Sequence, residues 1–67
     1  MLTIRLNGEP QAVAAATVAG LLEEQRMLGR RGVAVAVNGE VVPASGWHAR
    51  ELASGDEVEI VKPVGGG

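Results

Sequence analysis

Two Asn-Gly pairs, Asn7-Gly8 and Asn38-Gly39, each follow a run of alternating apolar residues. This dipeptide favours the two-residue hairpin of type I′, because both residues tolerate the positive φ that the turn demands. Before the first pair, Leu2, Ile4 and Leu6 alternate with Thr3 and Arg5, the period of a half-buried strand. A short strand near Gln11 to Val13 completes the hairpin. Pro10 cannot donate a backbone hydrogen bond, which assigns this strand to a sheet edge. In the second hairpin, Val33, Val35 and Val37 alternate with Ala34 and Ala36. A two-residue turn sets Val37 opposite Glu40, Ala36 opposite Val41 and Val35 opposite Val42. Cross-strand partners share a face. Val35 and Val42 therefore point inward, Ala36 and Val41 outward, and Pro43 ends the strand.

Between the hairpins, Val18, Leu21, Leu22 and Leu28 fall on one helical stripe, with Glu23, Glu24 and Arg26 away from it. Thr17 suits the N-cap and Gly29 the C-cap. Arg30 and Arg31 then lie where cations favour the C-terminal end of the helix dipole. Gly20 costs such a helix roughly 1 kcal/mol relative to Ala and allows close packing on the sheet. Ser45 to His48 reads as an irregular crossing with Trp47 covering the core, and Leu52 plugs the core from a short helical turn. Ser54-Gly55-Asp56 is a turn. Val58 and Ile60 alternate with Glu57 and Glu59 in a last strand that runs out at Pro63. The order strand, strand, helix, strand, strand, strand predicts an α+β fold. It is the β-grasp, or ubiquitin-like, arrangement: a mixed five-stranded sheet packed by one main α-helix, with the first and last strands at its centre.

With 67 residues the chain makes one small domain, burying only about 60% of its unfolded surface. It has no Phe or Tyr and one Trp, so the core is aliphatic. The absence of cysteine excludes disulfides, thiolate metal sites and thiol catalysis in this chain, and points to a cytoplasmic protein. The net charge of -2 contains no concentrated basic face, which argues against nucleic-acid binding. No apolar run approaches the ~20 residues of a membrane span, and the start lacks a signal-peptide core. His48 stands alone, without a second metal ligand at useful spacing. A monomer that forms complexes with other proteins is the default.

The sequence closes on Val64-Gly65-Gly66-Gly67. We expect a β-grasp domain over residues 1–62 and a flexible glycine-rich tail over 63–67. Glycine lacks Cβ and enters backbone conformations closed to other residues. Such a tail presents the Gly67 α-carboxylate on a thin stalk. The plain alternative is a frayed end.

Taken in order, several segments resemble the small sulfur-carrier proteins of bacterial thiamine biosynthesis, the ThiS family. They are Val35-Ala36-Val37-Asn38-Gly39-Glu40-Val41-Val42-Pro43, Trp47, the run from Leu52 to Val61, and the Gly-Gly end. The similarity spans essentially the whole chain. Gly65 is a departure, since the family often carries a bulkier residue near there. The resemblance implies that a ubiquitin-activating-type adenylyltransferase, using ATP and magnesium, adenylates the Gly67 carboxylate. Sulfur from a cysteine-desulfurase relay then displaces AMP to leave a thiocarboxylate, which thiazole synthase consumes. In this scheme the chain is a co-substrate, not an enzyme, and binds no cofactor or metal itself.

The outward residues Ala34, Ala36, Val41 and Val61 are either scattered exposed apolar groups or one patch that docks partners. Glu57 and Glu59 read as outer-face charges able to meet basic partner residues. Other functions stay open beside the thiamine branch. The chain could be the small subunit of molybdopterin synthase, a carrier for another sulfurated metabolite, a protein-modifying tag joined through Gly67, or a passive docking module.

Overall fold

The computed structural model describes residues 1–62. Strands β1 (Leu2–Leu6) and β2 (Glu9–Val13) form the first hairpin, and helix α1 (Val18–Glu24) follows. Strands β3 (Ala34–Val37) and β4 (Glu40–Val42) form the second hairpin, a single 3-10 turn spans Ala44–Gly46, and β5 (Glu57–Val61) completes the sheet. The strand order is β2-β1-β5-β3-β4. β5 runs parallel to β1 and antiparallel to β3. This is the expected α+β, β-grasp arrangement, with β5 in the middle.

Both Asn-Gly pairs adopt the positive φ of their turns: Asn7 51° with Gly8 87°, and Asn38 53° with Gly39 81°. The second hairpin takes the predicted register, Val37 with Glu40, Ala36 with Val41 and Val35 with Val42. In the first, Arg5 pairs with Pro10. The pairs beside a two-residue turn alternate between bonded and non-bonded, so Pro10 faces the free edge, where its missing N–H removes a site for strand addition.

One face of the sheet and one face of the helix close the core. Ile4, Val13, Val35, Val37, Val42, Val58 and Ile60 meet Val18, Ala19, Leu21 and Leu22. Val18, Leu21 and Leu22 are completely buried, and burial of each stabilises the fold by about 1.5–3 kcal/mol. Three of the free N–H groups at the helix start are occupied. Thr17 Oγ1 accepts from Gly20 N at 3.1 Å, and the carbonyls of Arg50 and Trp47 accept from Val18 and Ala19 at 3.0 Å each. The crossing segment thereby holds the helix start in place.

The helix is shorter than expected. It ends at Glu24 with Gln25 as C-cap, and Arg26 enters the left-handed region at φ 61°. Met27 therefore turns into the core and Leu28 stays 38% exposed. Gly29 is not the cap, and Arg30 and Arg31 lie beyond the last turn, outside the short range of its dipole. Gly20 makes its close approach to Ala15 and Thr17 in the preceding loop: an added Cβ would lie 3.2 Å from Ala15 Cβ. Leu52 is buried as expected, but from an extended segment whose N–H donates to Ala16 O at 2.8 Å. The helical turn falls earlier, at Ala44–Gly46.

Candidate functional site

Among the described residues, no helix covers the sheet's second face. On it, the registers of β3, β4 and β5 bring the four predicted patch residues together. Ala36 lies opposite Val41 on one side and Glu59 on the other, and Ala34 lies opposite Val61. Alternation along each strand puts all five on the outer face. The two alanines are short, so they form the floor of a shallow depression of about 160 Å³, with Val41, Val61 and Glu59 at its rim. Val41 is 73% and Val61 60% exposed. A groove of about 420 Å³ adjoins it across β1 and β5, lined by Arg5, Asn7, Gly8, Glu57, Val58 and Glu59. Glu59 borders both.

This face is suited to recognition. It offers apolar area with carboxylates beside it, and its central strand is the one that leads to residues 63–67. Among the described residues no group of three His, Cys, Asp or Glu side chains is placed to hold a metal, and no polar or charged residue is buried. His48 is exposed. Trp47 is buried over the core, its Nε1 donating to Val42 O at 2.9 Å. Among the described residues no helix is long and apolar enough to cross a membrane. Gly65, Gly66 and Gly67 lie outside the described residues.

The turn asparagines do more than turn. Asn7 Oδ1 accepts from Ile60 N at 2.8 Å and Asn7 Nδ2 donates to Ile60 O at 3.3 Å. Asn38 Oδ1 accepts from Glu57 N at 2.9 Å, and Asn38 Nδ2 donates to Asp56 Oδ1 at 3.0 Å. Each hairpin turn thus grips one end of β5. Asp56 also accepts from Ala53 N at 2.8 Å. That backbone bond, then the one from Asn38, holds its carboxyl below the usual carboxylate range. Sequence reasoning took both Asn-Gly pairs as turns only. The available signal was the side chain itself, since an amide supplies donor and acceptor together where aspartate or glycine would also allow the turn.

The sequence model of the ThiS family matches residues 4–67. No curated protein matches at a significant level. Four chains of solved structures do, two of them each 32% identical. The crystal structure of a thiamine biosynthesis protein (ThiS) from Geobacter metallireducens superposes with a TM-score of 0.80, over 98% of this chain and 100% of that one. The NMR solution structure of a thiamine biosynthesis protein from the same organism gives 0.81, over 98% of this chain and 88% of that one. The family model covers nearly the whole chain and the fold superposes on a ThiS structure over 98% of it, and the chain belongs to the ThiS family.

Proposed function

We propose that this chain is a sulfur carrier of thiamine biosynthesis and that Gly67 is its working end. An α-carboxylate has a pKa of about 3.5, so at neutral pH it is ionised and a poor electrophile. Attack of the carboxylate on the α-phosphate of ATP expels pyrophosphate and leaves an acyl adenylate. A sulfur nucleophile then adds at the carbonyl carbon and AMP departs with one of the original oxygens; where that nucleophile is a persulfide of the sulfur donor, a thiol of the donor cleaves the S–S bond and ends as a disulfide. The resulting thiocarboxylate keeps the negative charge and gains a soft, nucleophilic sulfur. Thiazole synthase receives that sulfur.

The adenylating enzyme supplies the ATP, the magnesium and the catalytic groups. The carrier supplies a docking face and a deliverable end. Ala34, Ala36, Val41 and Val61 form the docking face, with Glu59 beside them for a basic partner residue. The observation that carries this function is the family match, which runs through the last glycine at 67. The arrangement of the face supports it, because Val61 belongs both to the apolar patch and to the strand that leads toward Gly67.

The acceptor branch is tested by reconstitution. Thiocarboxylated carrier is offered to thiazole synthase with its other substrates, or to the large subunit of molybdopterin synthase with its pterin precursor. Thiazole formation supports the thiamine branch. Sulfur delivered only to the pterin would move the chain to the other branch.

A further inference from the structure

Ile60 is held at both of its backbone groups by a side chain 53 positions earlier. The parallel pairing of β1 with β5 covers Arg5 with Glu57 and Leu6 with Val58. It continues as one bond from Asn7 N to Val58 O at 2.9 Å, and there the chain turns away. The Asn7 side chain takes over. A primary amide presents a carbonyl and an N–H like a peptide unit, so Asn7 adds one more rung where β1 has no further residue. On the other side, β3 pairs Val35 with Ile60 and Ala34 with Val61. The strand is therefore held from both flanks two residues before Lys62.

The geometry points to Asn7 as a positioning residue for the transfer reaction. It fixes the root from which residues 63–67 continue, and so keeps the Gly67 carboxylate on target once the carrier has docked. This rests on the carrier function proposed above. The rate of adenylation in the docked complex depends on how often the carboxylate occupies the attack geometry. A looser root lowers that fraction. Docking uses the outer-face side chains of Ala34, Ala36, Val41 and Val61, whereas the Asn7 side chain bonds only the backbone of Ile60, whose own side chain faces the core, so the loss falls on kcat and spares KM.

Asn38 provides an internal control. It has the same residue type, the same turn position and the same number of side-chain bonds, but it grips the opposite end of β5. If Asn7 were only a turn residue, glycine would replace it without effect on transfer, because glycine keeps the positive φ.

The test is steady-state pyrophosphate release by the cognate adenylating enzyme, with carrier concentration varied. Wild type, Asn7→Gly and Asn38→Gly are compared at a temperature where circular dichroism shows each folded. Asn7→Gly removes both side-chain bonds to Ile60 and should lower kcat by at least about three- to tenfold, the equivalent of one net hydrogen bond, with KM unchanged. Amide exchange at Ile60 should quicken in the same variant. Asn38→Gly should leave both kinetic constants at wild-type values. Asn7→Asp serves where glycine loosens the turn: it keeps the acceptor for Ile60 N–H but sets an oxygen against the Ile60 carbonyl, and its kcat should fall too. A normal kcat in the folded Asn7 variants, an equal fall in Asn38→Gly, or a change confined to KM would overturn the inference while leaving the carrier function intact. A wild type that is never adenylated would overturn both.

Discussion

The indole Nε1 of Trp47 donates to the carbonyl oxygen of Val42 at 2.9 Å, and the bond is buried. Val42 ends β4, a strand of only three residues at the sheet edge. Trp47 also offers its own carbonyl to the helix start. One residue thus ties the edge strand, the crossing segment and the helix N-terminus to each other in a core that has no other aromatic side chain.

Trp47→Phe keeps most of the apolar cover and removes the donor. The loss of a buried hydrogen bond costs about 1–3 kcal/mol where its partner is left unpaired. Urea denaturation should show a lower midpoint with the family fold retained at low denaturant. An unchanged midpoint would mean that water replaces the indole at Val42 without penalty.

Asp56 makes stability depend on pH in one direction. Its carboxylate accepts from Ala53 N–H and Asn38 Nδ2, so its pKa in the folded state lies below the unfolded value. The folded state therefore binds fewer protons. The contribution is complete above the unfolded value of about 3.9 and is lost as pH falls through the lower folded value. Between pH 5 and strongly acidic solution, as orders of magnitude on this scale, wild type should lose more stability than Asp56→Asn. Parallel acid-dependence of the two proteins in denaturant titrations would contradict this assignment.

A charge at the centre of the apolar face should separate docking from folding. Ala36→Glu sets a second carboxylate opposite Glu59. Like charges across a strand pair destabilise by only about 0.2–1 kcal/mol. Burying the same charge against a partner costs far more. Affinity for the adenylating enzyme, measured by calorimetry, should fall at least about tenfold, or 1.4 kcal/mol, while the domain still folds, with its thermal midpoint lowered by no more than about 8 °C. Unchanged affinity would show that partners dock elsewhere.

Much of this was legible in local pattern, and what was not has physical reasons. The Asn38-Gly39 turn determined the register of the second hairpin, because a two-residue loop leaves no freedom to slip. The faces of Ala36 and Val41 followed from it. The helix end was not legible: Leu28 continued the apolar stripe, but the left-handed Arg26 brought Met27 inward instead. A stripe records which residues are apolar and not where the backbone departs from the helix. The grips of Asn7 on Ile60 and Asn38 on Asp56 were invisible because they join positions far apart in the chain. Only the sheet order brings them together. For the candidate site, the membership of the face was readable from alternation, whereas the depression between Val41 and Val61 required the pairing of β3 with β5.

The central claim is that the Gly67 carboxylate exchanges one oxygen for sulfur. The direct measurement is the intact mass of the carrier after incubation with its adenylating enzyme, ATP, magnesium and a sulfur source. The expected result is a gain equal to the difference between one sulfur and one oxygen, confined to the C-terminal fragment and absent from a folded variant lacking Gly67. An unchanged mass in the presence of active enzyme, or a ladder of heavier protein conjugates in its place, would contradict the carrier function.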